Sequence, residues 1–191
     1  MPPGALTNQD DARDLAPAPL CTIKINKLKS SPVYNSFLDL LDNYEHRVGF
    51  AEVETPKKRS EANRFLEAVL STETMKGFHR YLVQKKLVSP DIAAFKMELH
   101  NLWFQPYKHP EFKRALRFSL YNSFRKPFGT IVFDSSIEFE IGLYTTAFLR
   151  SRSLFKGSTC WPATSLNLGP TDILIQCHPH HGNHMGSCYV K

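Results

Sequence analysis

The chain has no uninterrupted run of about 18 apolar residues, the length that a helix needs to cross a bilayer. We therefore expect no membrane span. The first residues, Met1 to Asp11, have neither a basic leader nor an apolar stretch, so we also expect no secretory signal. These absences favour the cytoplasm or the nucleus.

Cysteine is scarce. The 191 residues include four, Cys21, Cys160, Cys177 and Cys188, and their spacing is irregular. This number does not fit the disulfide framework of a small secreted domain, so a reducing compartment is allowed, although it is not established. A hydrophobic fraction of 42% and an aromatic fraction of 12% instead predict a folded chain that buries its own core.

Acidic residues are fewer than basic ones, with 18 Asp and Glu against 24 Lys and Arg. The resulting net charge of +6 favours polyanionic partners such as nucleic acids. A basic surface that only keeps the protein soluble is the alternative, and charge by itself favours that alternative.

The first half of the chain predicts a helical lobe. Residues 1–30, rich in Pro, Ala and Asp in their first part, are assigned to a flexible tail, and residues 31–107 contain apolar residues at three- to four-residue spacing in four segments. Thr55-Pro56 and Ser89-Pro90 are typical helix starts. The residues expected to face inward are Val33, Phe37, Leu41 and Tyr44; Ala62, Phe65, Leu66 and Val69; Met75, Phe78 and Leu82; and Ile92, Phe95, Leu99, Leu102 and Trp103.

Residues 108–191 predict a mixed lobe, which makes the fold class α+β. Lys108-His109-Pro110 ends the helical pattern, and Ile131 to Phe133 predicts a short buried strand. Ser135 and Glu138 form a capping-box pattern for a helix that buries Phe139, Leu143 and Ala147. Gly157 to Pro170 is typical of a loop.

The last twenty residues predict a β-hairpin. Ile173 to Cys177 and Met185 to Val190 are strand-like, and Gly182-Asn183 is a turn signal between them. Such a hairpin pairs His181 with His184, His178 with Ser187, and Cys177 with Cys188. Side-chain alternation then places His178 and His180 on the same face as Ser187 and Tyr189. Pro179 disturbs the ladder, so the register stays open.

Histidines are concentrated in this hairpin, at positions 178, 180, 181 and 184, between Cys177 and Cys188. Imidazoles and thiols are zinc ligands, yet this spacing fits no standard zinc finger. We expect no metal site here, and consider instead that His178 and His180 contribute weak RNA contacts.

The most specific pattern runs from Lys126 to Glu140, Lys-Pro-Phe-Gly-Thr-Ile-Val-Phe-Asp-Ser-Ser-Ile-Glu-Phe-Glu, and continues to Tyr144. It places a cation before an apolar strand, which passes through a double-Ser turn into a helix. The pattern resembles the catalytic-lysine segment of the EndoU, or poly(U)-specific endoribonuclease, family.

Two further regions carry the same resemblance. Leu40 to Tyr44, Val88 to Phe95 and Leu102 to Phe104 are similar to the helical N-terminal lobe of animal EndoU domains. The closing segment from Met185 to Val190 is similar to the Thr/Ser-x-Tyr segment that ends the family's catalytic lobe. The resemblance therefore implies an EndoU-like fold across most of the chain.

The resemblance implies an RNA-cleaving site. In the family, the ribose 2′-hydroxyl attacks the adjacent phosphate at a uridylate, which leaves a 2′,3′-cyclic phosphate. Lys126 matches the catalytic lysine, and Ser187 and Tyr189 match residues that contact the base; without the motif, a solvated lysine, a strand hydroxyl and a packed tyrosine are the better interpretation. The family further implies single-stranded U-containing RNA as partner, stimulation by Mn²⁺ with no ligands identified here, and secretion as a second compartment. We expect a monomer.

Two histidines complete the family's site as acid and base, and both are missing from their expected place. They belong between the helical lobe and the lysine strand, where in this chain only Lys108 to Ala115 bridges Tyr107 and Leu116. His79 and His46 resemble fragments of the missing motifs, but they fall in the helical lobe, and His100 and His109 have no motif support. Impaired or absent activity is the prediction, and a working enzyme, an RNA-binding regulator and an incompletely spliced isoform all stay open.

Overall fold

The computed structural model describes residues 25–43, 53–104, 135–158, 160–169, 172–180 and 184–191. Several sequence predictions lie outside these residues: Lys126, the strand from Ile131 to Phe133, the turn at Gly182-Asn183, and the histidines His46, His109 and His181. The described chain is α+β, as predicted.

Helices come first and an antiparallel sheet follows. The elements in chain order are α1 (Ile25–Lys29), α2 (Pro32–Asp39), a 3₁₀ turn (Leu41–Asn43), α3 (Pro56–Ser71), α4 (Glu73–Gln84), α5 (Ile92–Trp103), α6 (Ile137–Leu154), β1 (Thr164–Asn167), β2 (Asp172–His180) and β3 (His184–Val190). The short helix α1 lies within the stretch that the sequence assigns to the tail. No helix of the described ranges is long and apolar enough to span a membrane.

The predicted start of α3 is confirmed. Thr55 is the N-cap, its Oγ1 accepts a hydrogen bond from the Lys58 backbone N–H at 3.2 Å, and Pro56 occupies the first turn. Thr72 caps α4 in the same way, with a 3.2 Å bond from the Met75 N–H. In each case the hydroxyl satisfies an N–H that has no partner inside the helix.

The starts of α5 and α6 differ from the prediction by one or two residues. Asp91, and not Ser89, caps α5, because its two carboxylate oxygens accept from the N–H groups of Ala93 and Ala94 at 3.2 and 3.0 Å. Ile92 consequently falls in the first turn and is 49% exposed, so its predicted burial is wrong. Ser136, and not Ser135, caps α6.

The core is a single apolar cluster that combines residues of the helices and the sheet. Most of the predicted inward residues belong to it, with Phe65, Leu66, Val69, Met75, Leu82, Phe95 and Leu99 almost completely buried. Leu41 is an exception at 61% exposed, because α2 ends at Asp39 and the chain continues as a 3₁₀ turn. The cluster continues through α6 to Ile175 and Cys177 of β2.

Helix α6 joins the helical lobe to the sheet. Gly142 gives it a close approach to α4, since a Cβ at that position would lie 2.1 Å from Cδ2 of Phe78. Three residues further along, the buried Thr145 accepts a 3.0 Å hydrogen bond from the indole N–H of Trp103 in α5. The polar groups of this contact are thus satisfied inside the core.

The sheet is an antiparallel meander with the order β1, β2, β3. Strand β1 lies within the stretch that the sequence analysis assigns to a loop, so that prediction is wrong for these four residues. Three of the four are polar, and the apolar alternation that indicates a strand is therefore weak. Its inward Thr164 is satisfied by a 2.6 Å hydrogen bond with Ser151 of α6. Both hydroxyls are buried, so this bond ties the sheet to the helix.

The register between β2 and β3 matches the prediction at Cys177–Cys188 and His178–Ser187. Beyond these pairs it shifts by one, because Pro179 pairs with Met185 and leaves Gly186 as an extra residue on β3. Proline has no N–H for the ladder, so an irregularity at this position is expected. His184 therefore pairs with His180, and its predicted pairing with His181 is wrong.

We expect Gly142→Ala to destabilise the protein by about 1–3 kcal/mol, the usual cost of overpacking a core. The new methyl group would displace the Phe78 ring, which also packs on Phe139 with centroids 5.8 Å apart. Urea unfolding measures the loss. Gly77→Ala in α4 is the matched control, since nothing lies within 4 Å of its added Cβ, and it should stabilise the helix. Equal behaviour of the two variants would contradict the proposed packing.

Candidate functional site

The outer face of the β2–β3 hairpin brings together three of the residues that the sequence singles out, His178, Ser187 and Tyr189. Ser187 lies opposite His178, and Tyr189 lies opposite Gln176, so these four side chains share one face. Ile175 and Cys177, the intervening residues of β2, are fully buried against the core. We call the set Gln176, His178, Ser187 and Tyr189 the hairpin face.

His178 and Tyr189 are neighbours across the diagonal of this ladder. The imidazole Nε2 lies 3.5 Å from the phenol oxygen, and the two rings are 26° from parallel with centroids 5.8 Å apart. A separation of 3.5 Å is at the long limit for a hydrogen bond, so both groups retain capacity to bind a third. His178 is exposed, and Ser187 and Tyr189 are partly exposed.

Gln176 is the member of the hairpin face that the sequence reasoning missed. Its Nε2 donates to the backbone carbonyls of Trp161 at 2.7 Å and Cys177 at 3.2 Å. The amide thus connects β2 to the segment that precedes β1, and it fixes the side chain that lies opposite Tyr189. The predicted hairpin register already places Gln176 opposite Tyr189, and this position could have identified it.

The opposite side of the hairpin carries a disulfide. Cys177 and Cys188 face each other across the two strands with their Cα atoms 4.2 Å apart, and their sulfur atoms are bonded. Met185 adds its Sδ 3.4 Å from the Cys188 sulfur. The sequence predicts the pairing of these two residues but not the bond. Cys160 is a free, exposed thiol.

The two helical histidines of the described chain have packing contacts. His79 in α4 stacks on Phe95 of α5, with centroids 4.4 Å apart and planes 10° from parallel. Its Nε2 lies 3.0 Å from the carbonyl oxygen of Ser89. His100 packs near Phe104 at 5.8 Å. The structure thus gives both of them local contacts within the helical lobe.

The catalytic-lysine pattern is described from Ser135 onward, where it forms the start of α6. Ile141 and Leu143 are buried, and Tyr144 is partly buried. Burial raises the pKa of the Tyr144 phenol, and the Glu140 carboxylate raises it further. Lys126 itself lies outside the described residues.

The histidines and cysteines of the hairpin are candidate metal ligands. Within the described ranges, no group of three or more His, Cys, Asp or Glu side chains is arranged to hold a metal ion. His180 is described through its backbone, which pairs with His184. The described residues therefore offer no ligand set for the expected Mn²⁺.

Known proteins share both sequence and fold with this chain. The Uridylate-specific endoribonuclease B of Danio rerio is 28% identical over 245 aligned positions, which cover 97% of this chain and 84% of the relative. The Poly(U)-specific endoribonuclease-A of Xenopus laevis is 46% identical over 99 residues, or 51% of this chain and 34% of the relative. In that Xenopus comparison the chain thus matches about a third of the relative.

A solved structure of XendoU, described as a splicing independent snoRNA processing endoribonuclease, superimposes with a TM-score of 0.70. It is 28% identical in sequence, and the match covers 88% of this chain and 81% of that one. The family model Endoribonuclease XendoU matches residues 3–115, more than half of the chain. The resemblance inferred from the motifs is confirmed, and the chain belongs to the XendoU family of endoribonucleases.

Proposed function

We propose that this protein binds uridylates of single-stranded RNA through the hairpin face and that its own RNA cleavage is impaired. The observation that carries the proposal is the shared placement of Ser187, Tyr189 and His178 on the exposed side of β2 and β3. Relatives named for uridylate and poly(U) specificity support the choice of nucleotide.

The chemistry of the hairpin face suits a uracil. Uracil presents an N–H donor between two carbonyl acceptors, and a serine hydroxyl both donates and accepts. The Tyr189 ring offers a surface on which a splayed base stacks, as single-stranded RNA bases do on aromatic side chains. His178 lies beside that ring, where its imidazole can contact a neighbouring phosphate. The net charge of +6 adds a general attraction for RNA.

The reaction expected from the family requires more than this face. The 2′-hydroxyl forms a new bond to phosphorus while the bond to the 5′-oxygen breaks, so a base must remove one proton and an acid must supply another. A cation must also stabilise the charge that develops on the phosphate, which is the role proposed for Lys126. Recognition of the base and transfer of protons are therefore separate tasks for separate residues.

The proton-transfer groups are the missing part. Only Lys108 to Ala115 bridges Tyr107 and Leu116, the region in which the resemblance places the histidine pair. The alignment with the Danio rerio relative is 245 positions long, more than the 191 residues of this chain, so it contains gaps in this chain, in agreement with a lost segment. His79 and His100 have packing contacts in the helical lobe, which argues against their use as substitutes.

Two other functions were considered. A fully active, Mn²⁺-stimulated endoribonuclease is disfavoured by the absent histidine segments, and no step of the proposal passes through a metal. An incompletely spliced isoform with a poorly folded second lobe is disfavoured by the core, because α6 and the sheet pack in one cluster with α3, α4 and α5. The predicted apolar surface around Phe118, Phe124 and Phe128 lies outside the described residues.

Cleavage of a uridine-containing oligonucleotide is expected to stay near background, with Mn²⁺ or with a chelator. Loss of a general acid and a general base typically removes factors of roughly 10² to 10⁴ each. Gel analysis of the end-labelled RNA, with Lys126→Ala in parallel, measures the rate. Clear cleavage by the unmodified chain that disappears in Lys126→Ala would show that the protein is a working enzyme.

Tyr189→Ala should weaken binding of oligo(U) by about 1–3 kcal/mol, the usual contribution of one base stacked on an aromatic side chain. Fluorescence anisotropy with labelled oligo(U) measures the dissociation constant, and oligo(A) measures the specificity. Tyr81→Ala is the matched control, because Tyr81 is a 37% exposed tyrosine on α4.

His178→Ala and His180→Ala together should also weaken the binding of oligo(U). Unchanged affinity in both the Tyr189→Ala variant and the double histidine variant would show that oligo(U) does not bind at the hairpin face.

A further inference from the structure

The disulfide lies directly behind the proposed nucleotide site. Cys188 is flanked in sequence by Ser187 and Tyr189, and Cys177 is flanked by Gln176 and His178. Because side chains alternate along a strand, the bond crosses the hairpin on the core side while the four flanking residues occupy the outer face. The covalent link therefore joins the two halves of the hairpin face at its centre.

The disulfide lies next to an irregularity in the strand pairing. The ladder changes register between His178 and Pro179, where Gly186 is the extra residue, one position from Ser187. Proline donates no hydrogen bond and a bulged glycine adds conformational freedom, so the ladder beside the site has fewer backbone constraints than a regular one. Within the described sheet, β3 pairs only with β2. A change in register of one residue would turn Ser187 and Tyr189 toward the core.

We propose that the Cys177–Cys188 disulfide is a positioning element that holds Ser187 and Tyr189 against His178, and that its reduction weakens uridylate binding. The RNA-binding part of this inference rests on the proposed function, and the positioning part rests only on the geometry of the hairpin. The disulfide makes binding to RNA sensitive to the thiol–disulfide balance.

Reduction by an external dithiol is chemically balanced. Cys177 is fully buried and Cys188 is the more exposed of the two residues, so the inference assigns thiolate attack to the Cys188 sulfur, and the Cys177 sulfur leaves. The second thiol of the reductant then resolves the mixed disulfide. The protein gains two electrons and two protons as two thiols, and the dithiol becomes its cyclic disulfide.

The test compares oxidised and dithiothreitol-reduced full-length protein by two measurements, after thiol counting has verified each state. Nuclear magnetic resonance of the aromatic rings follows the contact between His178 and Tyr189, with His79 and Tyr81 as internal controls on α4. Fluorescence anisotropy follows oligo(U) binding. Cys160→Ser removes the exposed free thiol of the described ranges and should leave both responses intact. Cys177→Val with Cys188→Val removes the bond, keeps an apolar filling, and should resemble the reduced protein in both states.

We expect reduction to shift the ring signals of His178 and Tyr189 but not those of His79 and Tyr81, and to weaken oligo(U) binding about tenfold, because the freed side chains must be ordered again on binding. Unchanged ring signals and unchanged affinity after verified reduction would overturn the inference, as would cysteines that remain thiols under oxidising conditions. Shifted rings in a protein that binds no oligo(U) in either state would support positioning while refuting the proposed function.

Discussion

The pairing of β2 with β3 is the constraint on which the candidate site depends. In an antiparallel pair with one buried face, a slip of one residue exchanges the inner and outer side chains completely. Ile175 and Cys177 are fully buried, so the core itself selects the register in which Ser187 and Tyr189 face outward. The disulfide between Cys177 and Cys188 fixes the same choice covalently.

Recognition and chemistry have different structural requirements in this fold. The hairpin face needs only two adjacent strands and a core behind them, and α6 supplies that core through the Ser151–Thr164 bond and its apolar residues. Proton transfer needs additional groups from another part of the chain. Under the proposed function, the loss of the histidine segment removes cleavage and leaves the hairpin face in place.

Much of the fold could be predicted from the sequence, because local chemistry decides it. Thr55-Pro56 starts a helix by satisfying a free N–H, and the apolar period of α3 places Phe65 and Val69 in the core. Features that depend on distant contacts were not predictable. Strand β1 pairs with β2 and is held to α6 by the Ser151–Thr164 hydrogen bond, a contact between residues that the sequence does not relate. The register predicts that Cys177 faces Cys188, but not that their sulfur atoms are bonded. Pro179 was the only feature of the sequence that indicated an irregularity near Gly186.

Under the proposed function, the hairpin face recognises uridylates and the protein does not cleave them efficiently. Photo-crosslinking of a 4-thiouridine oligonucleotide, followed by mass spectrometry of both protein and RNA, tests the two halves of this claim together. We predict crosslinks to the peptide His184–Lys191, centred on Tyr189, with the RNA recovered intact. Crosslinks confined to α3, α4 and α5, or RNA recovered as fragments ending in a 2′,3′-cyclic phosphate, would contradict it.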